Sequence, residues 1–532
     1  MSSSIGRGVL KGAAIISMFA IAGKALGVIQ KPVMAHYFGT GMEADVFTLS
    51  FSSIVFTIAL FPQQLLSPFL PIFVEKKEKE GEAAAWRFAG SVGTLLVVIM
   101  GLVVIGGMIL APHLTAAASS FSSPKAAALS TKLVRVMLPA ALFVGLASFL
   151  ALIHNAHKRF ALPAMGDMVN KAVLILCLIA LQRFFGIYGL AIGVVAGAIA
   201  GVLVQATGLR DQFRVFRFGV DWKDPALRQL GLLMLPMVLS VLIAQLRTII
   251  DYKFASGMTE GSTVGINYAR AIVDTLVLLV PTAVGVAIFP FFSDMTAAKD
   301  REAAGRVLMQ SLRLLMLIFI PVSIALIFLR TPIVQLAFQH GKFNDESVAL
   351  TVAPLTFYAM GLTSFALEII LMKFYYSIKN TLAPAIIGGL CVLVHLGVIL
   401  LFRHDMQNAS MALAATVSKS AKVIILFVLL GSWLPTLQWK KNGVFLFKTL
   451  VAAACMGVVV MLTRRGLDGL LPDPAAVGKM MRLIVLAVEI GAAALAGLVA
   501  FGGVAFALRL EELSTMGAWI KSRGRHGNNP RP

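Results

Sequence analysis

Long apolar segments follow one another along almost the whole chain, and short polar connections separate them. A helix needs about 20 predominantly apolar residues to cross a bilayer. The pattern predicts fourteen such spans, near residues 9–38, 44–73, 86–111, 128–154, 163–182, 187–209, 227–255, 262–291, 306–329, 346–372, 384–402, 410–434, 444–463 and 480–508. The sequence therefore predicts an all-α, polytopic membrane protein with about fourteen transmembrane helices.

The composition agrees with this fold class. Of the 532 residues, 58% are hydrophobic and 13% are charged, and the mean hydropathy is +0.88. Soluble domains carry about 25% charged residues. The net charge of +21 indicates cytoplasmic loops and contact with anionic membrane lipid rather than nucleic acid, because Lys and Arg mark the cytoplasmic side of membrane proteins. Cys177, Cys391 and Cys455 lie far apart in apolar segments and predict neither a disulfide framework nor a metal site.

Basic residues are unevenly distributed among the connections. The connections alternate in Lys and Arg content, and the turns Gly39–Glu43 and Ser256–Ser262 contain none. The positive-inside rule then places both termini in the cytoplasm. The exceptions, which fall on the outer side in this scheme, are Arg464, Arg465 and Lys479. The basic, polar tail is predicted to be disordered against the inner leaflet.

Three short motifs recur in the second half of the chain at offsets of 216 to 220 residues. FGTGM at 38–42 returns as FASGM at 254–258, EAA at 82–84 returns at 302–304, and a pair of prolines nine residues apart returns with the same spacing. Six spans lie in each copy, so the repeats are parallel. The predicted domains are an N-terminal six-helix lobe, an amphipathic cytoplasmic linker, a C-terminal six-helix lobe, a transmembrane helix pair and the tail, at residues 1–209, 210–226, 227–434, 435–508 and 509–532.

Charged residues interrupt several of the predicted spans. Lys24 and Lys31 lie seven residues apart on one face of the first span, with glycines and a proline around them. Arg247 occupies the position of Lys31 at the offset of 216 residues, and Arg270 follows in span 8. A charge at the bilayer centre costs about 2.5–3.5 kcal/mol on insertion scales. The surplus of cations at the start of both lobes therefore predicts an anionic ligand such as phosphate or diphosphate.

Two structural explanations of these charges stay open. Lys31 is close enough to the end of its span to extend to the lipid headgroups. Arg247 precedes Asp251, and Arg270 precedes Asp274, by four residues. An ion pair within each helix would lower the cost of burial without any ligand. Further charged residues in the apolar segments are Glu368, Lys419 and Lys422.

Several segments resemble one known family. They are LGVIQKPVMAHYFGTGMEADVFTLSF, SPFLPIFVEKKEKEGE, NYARAIVDTLVLLVPTAVGVAIFPFFSD, LAFQHGKF and FYYSIKNTLAP. These segments resemble the MurJ (MviN) lipid II flippases of the MOP superfamily, and the resemblance covers nearly the whole chain. It implies export of the undecaprenyl-diphosphate-linked peptidoglycan precursor across the bacterial cytoplasmic membrane by alternating access. It also implies that basic residues in a central cavity hold the diphosphate.

The resemblance implies a substrate-binding role for three individual positions. The family's arginine early in span 1 corresponds to Lys24, and its span 8 arginine corresponds to Arg270. The family's acidic residue after the FGxGM turn corresponds to Asp45.

Other positions depart from the family pattern. Gln30 and Lys31 stand where the family usually has Arg-Asp, and the arginine of span 2 is replaced by Thr57 or Ile58. A lysine binds phosphate as a point charge and lacks the bidentate fork of arginine. The substrate site is therefore expected to be altered, with Lys31 and Arg247 in compensation.

The expected energy source is an ion gradient or the membrane potential. The sequence contains no Walker A, H-E-x-x-H or G-x-S-x-G motif, which favours transport over catalysis and predicts no cofactor or metal centre. Asp251 is the candidate coupling acid, since it lies one turn from Arg247. Asn380 is a candidate oxygen ligand for a cation such as Na⁺.

Two alternative functions stay open beside a lipid II flippase. The departures from the family pattern are compatible with another undecaprenyl-diphosphate-linked glycan, an exopolysaccharide or O-antigen unit. A non-transporting membrane scaffold with cell-wall synthesis proteins as partners is the second alternative. A multidrug exporter is disfavoured, because cationic substrates favour acidic cavities.

Overall fold

The structure, a computed structural model, describes residues 2–210, 218–431, 434, 438–472 and 477–510, and these form helices and their connections. The helices of the first part of the chain are α1 Ser2–Phe38, α2 Met42–Leu49, α3 Phe56–Leu65, α4 Phe69–Glu80, α5 Glu82–Ile109, α6 Ala111–Ala118, α7 Pro124–Met137, α8 Pro139–Ala156, α9 Ala161–Phe185 and α10 Ile187–Thr207. Those that follow are α11 Pro225–Ala255, α12 Ser262–Ala297, α13 Arg301–Phe338, α14 Asp345–Ser377, α15 Leu382–Met406, α16 Ala409–Leu430, α17 Trp439–Asp468 and α18 Lys479–Ala507.

Twelve helical stretches of the described residues are long and apolar enough to cross a membrane. They coincide with twelve of the predicted spans. The predicted first and seventh spans correspond to α1 and α11, helices of 37 and 31 residues that are not among the twelve. The all-α, multi-pass fold is therefore confirmed, and the count of fourteen stays a prediction.

The predicted second and fourth spans are each built from more than one helix. In the second span a π-helical segment, Ser50–Val55, joins α2 to α3, and Pro68 directly precedes α4. In the fourth span Pro139 is the first residue of α8. Proline has no N–H to continue the helical hydrogen-bond ladder. Pro68 and Pro139 therefore lie at helix starts within these spans, and the π-helical segment marks the further division of the second span.

The Cα positions fall into two compact units, the first comprising residues 1–267 and 340–347 and the second comprising residues 268–339 and 348–532. The predicted lobe boundaries stay a prediction. Residues 211–217 of the predicted linker and 511–532 of the predicted tail lie outside the described residues. The described part of the linker from 218 to 224 has no helix.

Each unit has its own apolar core. In the first unit the Phe69 ring lies 5.4 Å from that of Phe88 and 5.1 Å from that of Phe149, centroid to centroid. In the second unit α13, α17 and α18 share a core. Gly497 allows α18 to lie close to α17, because a Cβ at this position would come within 2.5 Å of Val460 Cγ2. The predicted C-terminal helix pair thus packs on α13.

Candidate functional site

Lys31 connects three helices of the first unit. Its Nζ donates a hydrogen bond to Oδ1 of Asn267 on α12. The Asn267 amide nitrogen in turn donates to the Tyr252 hydroxyl on α11 at 2.8 Å. Lys31 is half-buried, whereas Tyr252 is buried. The predicted cation of α1 therefore contacts a neutral amide.

Lys24 lies on the exposed side of α1. Within the described part of the chain it forms no salt bridge. The neighbouring Gly23 packs on α9, where a Cβ would come within 3.1 Å of an Asp167 carboxylate oxygen. The Asp167 carboxylate forms a salt bridge with Nζ of Lys171, one turn along α9, at 2.7 Å. A Cβ at position 23 would therefore require a small shift of the Asp167 carboxylate.

Asp45 caps the N-terminus of α12. Its carboxylate, on a residue that is only 4% exposed, accepts hydrogen bonds from the backbone N–H of Gly261 at 3.2 Å and of Val264 at 2.8 Å. The Glu260 carboxylate accepts from the backbone N–H of Met42, the first residue of α2, at 2.7 Å. The starts of α2 and α12, which follow the FGTGM and FASGM motifs, are thus cross-linked, since Asp45 accepts from the start of α12 and Glu260 accepts from the start of α2.

A third turn, residues 340–347, packs against the same end of the first unit. The backbone N–H of Lys342 donates to the carbonyl of His36 at 2.9 Å. The hydroxyls of Thr40 and Ser347 are hydrogen-bonded at 2.8 Å. We call the three turns, together with the helix starts that follow the first two, residues 39–45, 256–264 and 340–347, the closed end of the first unit.

The remaining predicted cations differ in their partners. Arg247 is half-buried on α11 and forms no salt bridge with any residue that the structure describes. Arg270 lies 3.4 Å from Asp274, with side chains that are 44% and 55% exposed. The four-residue spacing predicted this second pair. Asp251 is 4% exposed.

The comparisons with known proteins identify the family. A family model described as "Lipid II flippase MurJ" matches residues 34–470. The chain belongs to the MurJ lipid II flippase family. The resemblance inferred from its sequence segments is therefore confirmed.

Relatives in this family match over most of their length. A protein named "Lipid II flippase MurJ" from Burkholderia cenocepacia is 26% identical over 452 residues, 82% of this chain and 87% of the relative. A "Probable lipid II flippase MurJ" from Bdellovibrio bacteriovorus is 24% identical over 514 residues, 95% of this chain and 96% of the relative.

Solved structures share the fold. One titled "Lipid II flippase MurJ, inward closed conformation" has a TM-score of 0.75 at 21% identity and covers 92% of this chain and 98% of its own. An inward-facing MATE family transporter of the MOP superfamily has a TM-score of 0.67 at 13% identity. The match covers 79% of this chain and 99% of the transporter's chain. The MOP-type fold therefore extends through both described units of this MurJ family member.

Asn380 caps the start of α15 in this MurJ family member. Its side-chain oxygen accepts from the backbone N–H of Ala383 at 3.1 Å, in the first turn of α15. The residue is exposed. Among the described residues no group of three or more His, Cys, Asp or Glu side chains could hold a metal ion.

The second unit contains an ion cluster that the sequence did not predict as a cluster. Glu368 on α14 lies 2.7 Å from Lys422 and 3.0 Å from Lys419, both on α16. The Lys419 ammonium also lies 4.9 Å from the centroid of the Phe365 ring. The sequence shows all three as charged residues in apolar segments, but their contact depends on which faces of α14 and α16 pack together.

Asn267, Tyr252 and the Asp167–Lys171 pair were missed. Asn267 precedes Arg270 by three residues and so shares its helix face, a signal that could have identified it. Asp167 and Lys171 are four residues apart in the fifth predicted span, a spacing that indicates an ion pair on one helix face.

Proposed function

We propose that this protein translocates lipid II, the undecaprenyl-diphosphate-linked peptidoglycan precursor, across the bacterial cytoplasmic membrane by alternating access. The observation that carries the proposal is the family match over residues 34–470, with relatives named lipid II flippase. In this proposal the chain is a transporter and not a catalyst, and both termini are cytoplasmic.

The diphosphate is proposed to bind to cations in the apolar helices. Lys24 and Arg247 support this role, because no carboxylate of the described residues compensates either charge. Lys31 is proposed to contribute as well, and its contact with the neutral Asn267 amide orients its ammonium group. Arg270 is proposed to contribute, its exposed pair with Asp274 being weak.

Asp45 is proposed to support substrate binding by position rather than by contact. Its carboxylate oxygens accept hydrogen bonds from the start of α12, and α12 carries Asn267 and Arg270. In an alternating-access cycle the closed end would open to release the substrate. The cross-linked turns would then separate, and the Asp45 contacts would be the ones that break.

The membrane potential or an ion gradient is proposed to drive the cycle. A charge that crosses the full field gains about 2.3 kcal/mol per 100 mV. The buried carboxyl of Asp251 is the proposed coupling group. Asn380 stays a proposed Na⁺ ligand, and ion binding there would compete with its cap on α15.

A second candidate substrate is another undecaprenyl-diphosphate-linked glycan. Gln30 and Lys31 replace charged family positions, and Thr57 or Ile58 replaces an arginine. These changes alter the charge and the geometry of the proposed binding site. Lys24 and Arg247 still provide two positive charges that could bind a diphosphate.

Complementation tests the proposed function. A strain depleted of its own lipid II flippase should grow when it produces this protein. It should not grow with a Lys24→Ala, Arg270→Ala double variant, although the variant reaches the membrane at a normal level. An Arg465→Ala variant, which removes an exposed cation, should grow. Normal growth of the double variant would contradict the proposed site, and failure of the unaltered protein would favour the other glycan or the scaffold.

A further inference from the structure

A small polar cavity of about 260 Å³ lies between α13 and α17 in the second unit. Its lining includes Glu302, Arg306 and Arg313 from α13 and Lys441 and Asn442 from the first turn of α17. We call it the α13–α17 cleft. None of these residues belongs to the predicted substrate site.

The lining of the cleft carries a surplus of positive charge. Three cationic side chains and a single carboxylate line it. The carboxylate of Glu302 is 2.7 Å from Arg306. The first turn of α17 contains no acidic residue. The described lining of the cleft therefore favours the binding of an anion.

The packing of Arg313 fixes a guanidinium in the cleft. Its Nε donates to Oδ1 of Asn442 at 3.0 Å, which joins α13 to α17. Its guanidinium carbon lies 5.4 Å from the centroid of the Phe445 ring. Asn442 and Phe445 are neutral, and these two contacts orient the guanidinium.

The cleft lies at the depth of lipid headgroups. Helix α13 has 38 residues and is about 57 Å long at 1.5 Å per residue. The hydrocarbon core is about 30 Å thick. The excess of about 27 Å, shared between the two ends, places the first two turns of α13, with Glu302 and Arg306, beyond the core, and Arg313 lies two turns further along the helix. The Lys and Arg distribution predicts that this end faces the cytoplasm, where anionic lipids are enriched.

A shallow hollow adjoins the cleft and continues along α17. The hollow is lined by Gln438, Lys440, Lys441 and Val444, and it shares Gln438 and Lys441 with the cleft. The exposed side chains of Val444 and Phe447 follow on the surface of α17. A cationic cavity beside an apolar surface matches an amphiphile better than a free phosphate ion.

We propose that the α13–α17 cleft binds the phosphate of an anionic phospholipid whose acyl chains lie along α17. The lipid bridges α13 to α17 and so stabilises the packing of the C-terminal helix pair. This inference does not depend on the proposed substrate, because its test measures binding and not transport.

Native mass spectrometry of the purified full chain tests the proposal. Phosphatidylglycerol should be retained more strongly than phosphatidylcholine. In an Arg306→Gln, Lys441→Gln double variant the preference should fall by roughly 25-fold, or roughly fivefold for each cation removed. Both residues are exposed, so the variant should fold, and an unchanged melting temperature in phosphatidylcholine would show it.

The matched control is Arg465→Gln with Lys479→Gln, which removes two exposed cations at the other ends of the same helix pair. It should keep the preference within about twofold. An equal loss in the control would show that net charge alone attracts the lipid and would overturn the proposal. So would an unchanged preference in the cleft variant.

Two further measurements distinguish binding of a lipid from binding of free phosphate. Val444→Asn keeps every cation and should weaken phosphatidylglycerol binding by reducing the apolar surface. Inorganic phosphate, exchanged for chloride at constant ionic strength, should not raise the melting temperature or displace the lipid. If phosphate does both and Val444→Asn has no effect, the cleft is a free-phosphate site and the lipid assignment is wrong.

Discussion

The carboxylate of Asp45 accepts a hydrogen bond from the backbone N–H of Val264 at 2.8 Å, across 219 residues of sequence. The contact joins the start of α2 to the start of α12. Both belong to the closed end of the first unit, where Glu260 makes the reciprocal contact to Met42. The closed end is therefore held by hydrogen bonds from backbone N–H groups to two acidic side chains.

Asp45→Ala should loosen the closed end. The two hydrogen bonds that Asp45 accepts contribute about 2 kcal/mol or more together, and about 1.4 kcal/mol corresponds to a factor of ten in an equilibrium. A cysteine at position 40, with the three native cysteines replaced, should react at least about tenfold faster with a membrane-impermeant maleimide. Glu43→Ala is the control, since Glu43 is exposed in the same helical turn. Equal labelling of the two variants would show that Asp45 does not hold the closed end.

Asn267→Asp should weaken binding of undecaprenyl diphosphate. A carboxylate at this position would neutralise Lys31, whose Nζ contacts the Asn267 side chain. We expect a loss of affinity of roughly tenfold without a lower melting temperature, measured by ligand binding to purified protein. The same change at Asn344 is the control, because Asn344 is an exposed cap of Ser347 and Asp caps equally well. Unchanged affinity in Asn267→Asp would remove Lys31 from the proposed site.

Glu368→Gln should destabilise the second unit. The change leaves Lys419 and Lys422 beside a neutral group in a region where the Glu368 side chain is 15% exposed. The expected cost is about 2 kcal/mol of unfolding free energy, measured by denaturant titration in detergent. Adding Lys419→Gln should restore part of it. Glu75→Gln breaks an exposed pair with Lys79 and should cost less than about 1 kcal/mol. Equal costs for the two glutamate variants would mean that the cluster is only a surface pair.

Asp251→Asn should reduce the response of transport to an imposed gradient. Asp251 is 4% exposed, and its replacement removes the proposed coupling charge without a change of size. Vesicles with purified protein, energised by an ion gradient or by a potential, provide the measurement. A variant that keeps its full response to both would limit Asp251 to a structural role.

The sequence by itself determined where the helices lie. The apolar segments coincide with the helices because a backbone group in hydrocarbon has no water to bond, and a helix satisfies these groups within one segment. The four-residue spacing predicted the Arg270–Asp274 pair, since residues four apart share a helix face. The same spacing also predicted a pair of Arg247 with Asp251, whereas Arg247 forms no salt bridge with the described residues. The motif segments were sufficient to identify the family.

Only the tertiary structure decided how the charges are paired. The resemblance implies that Asp45 binds substrate, which stays a prediction, and only the structure shows that its carboxyl group accepts a hydrogen bond from Val264 at the start of α12. Lys31 meets Asn267, and Glu368 meets Lys422. Each of these partners lies on a different helix. Such contacts depend on which faces of the helices pack together, and uniformly apolar helices leave few sequence signals that distinguish one face from another.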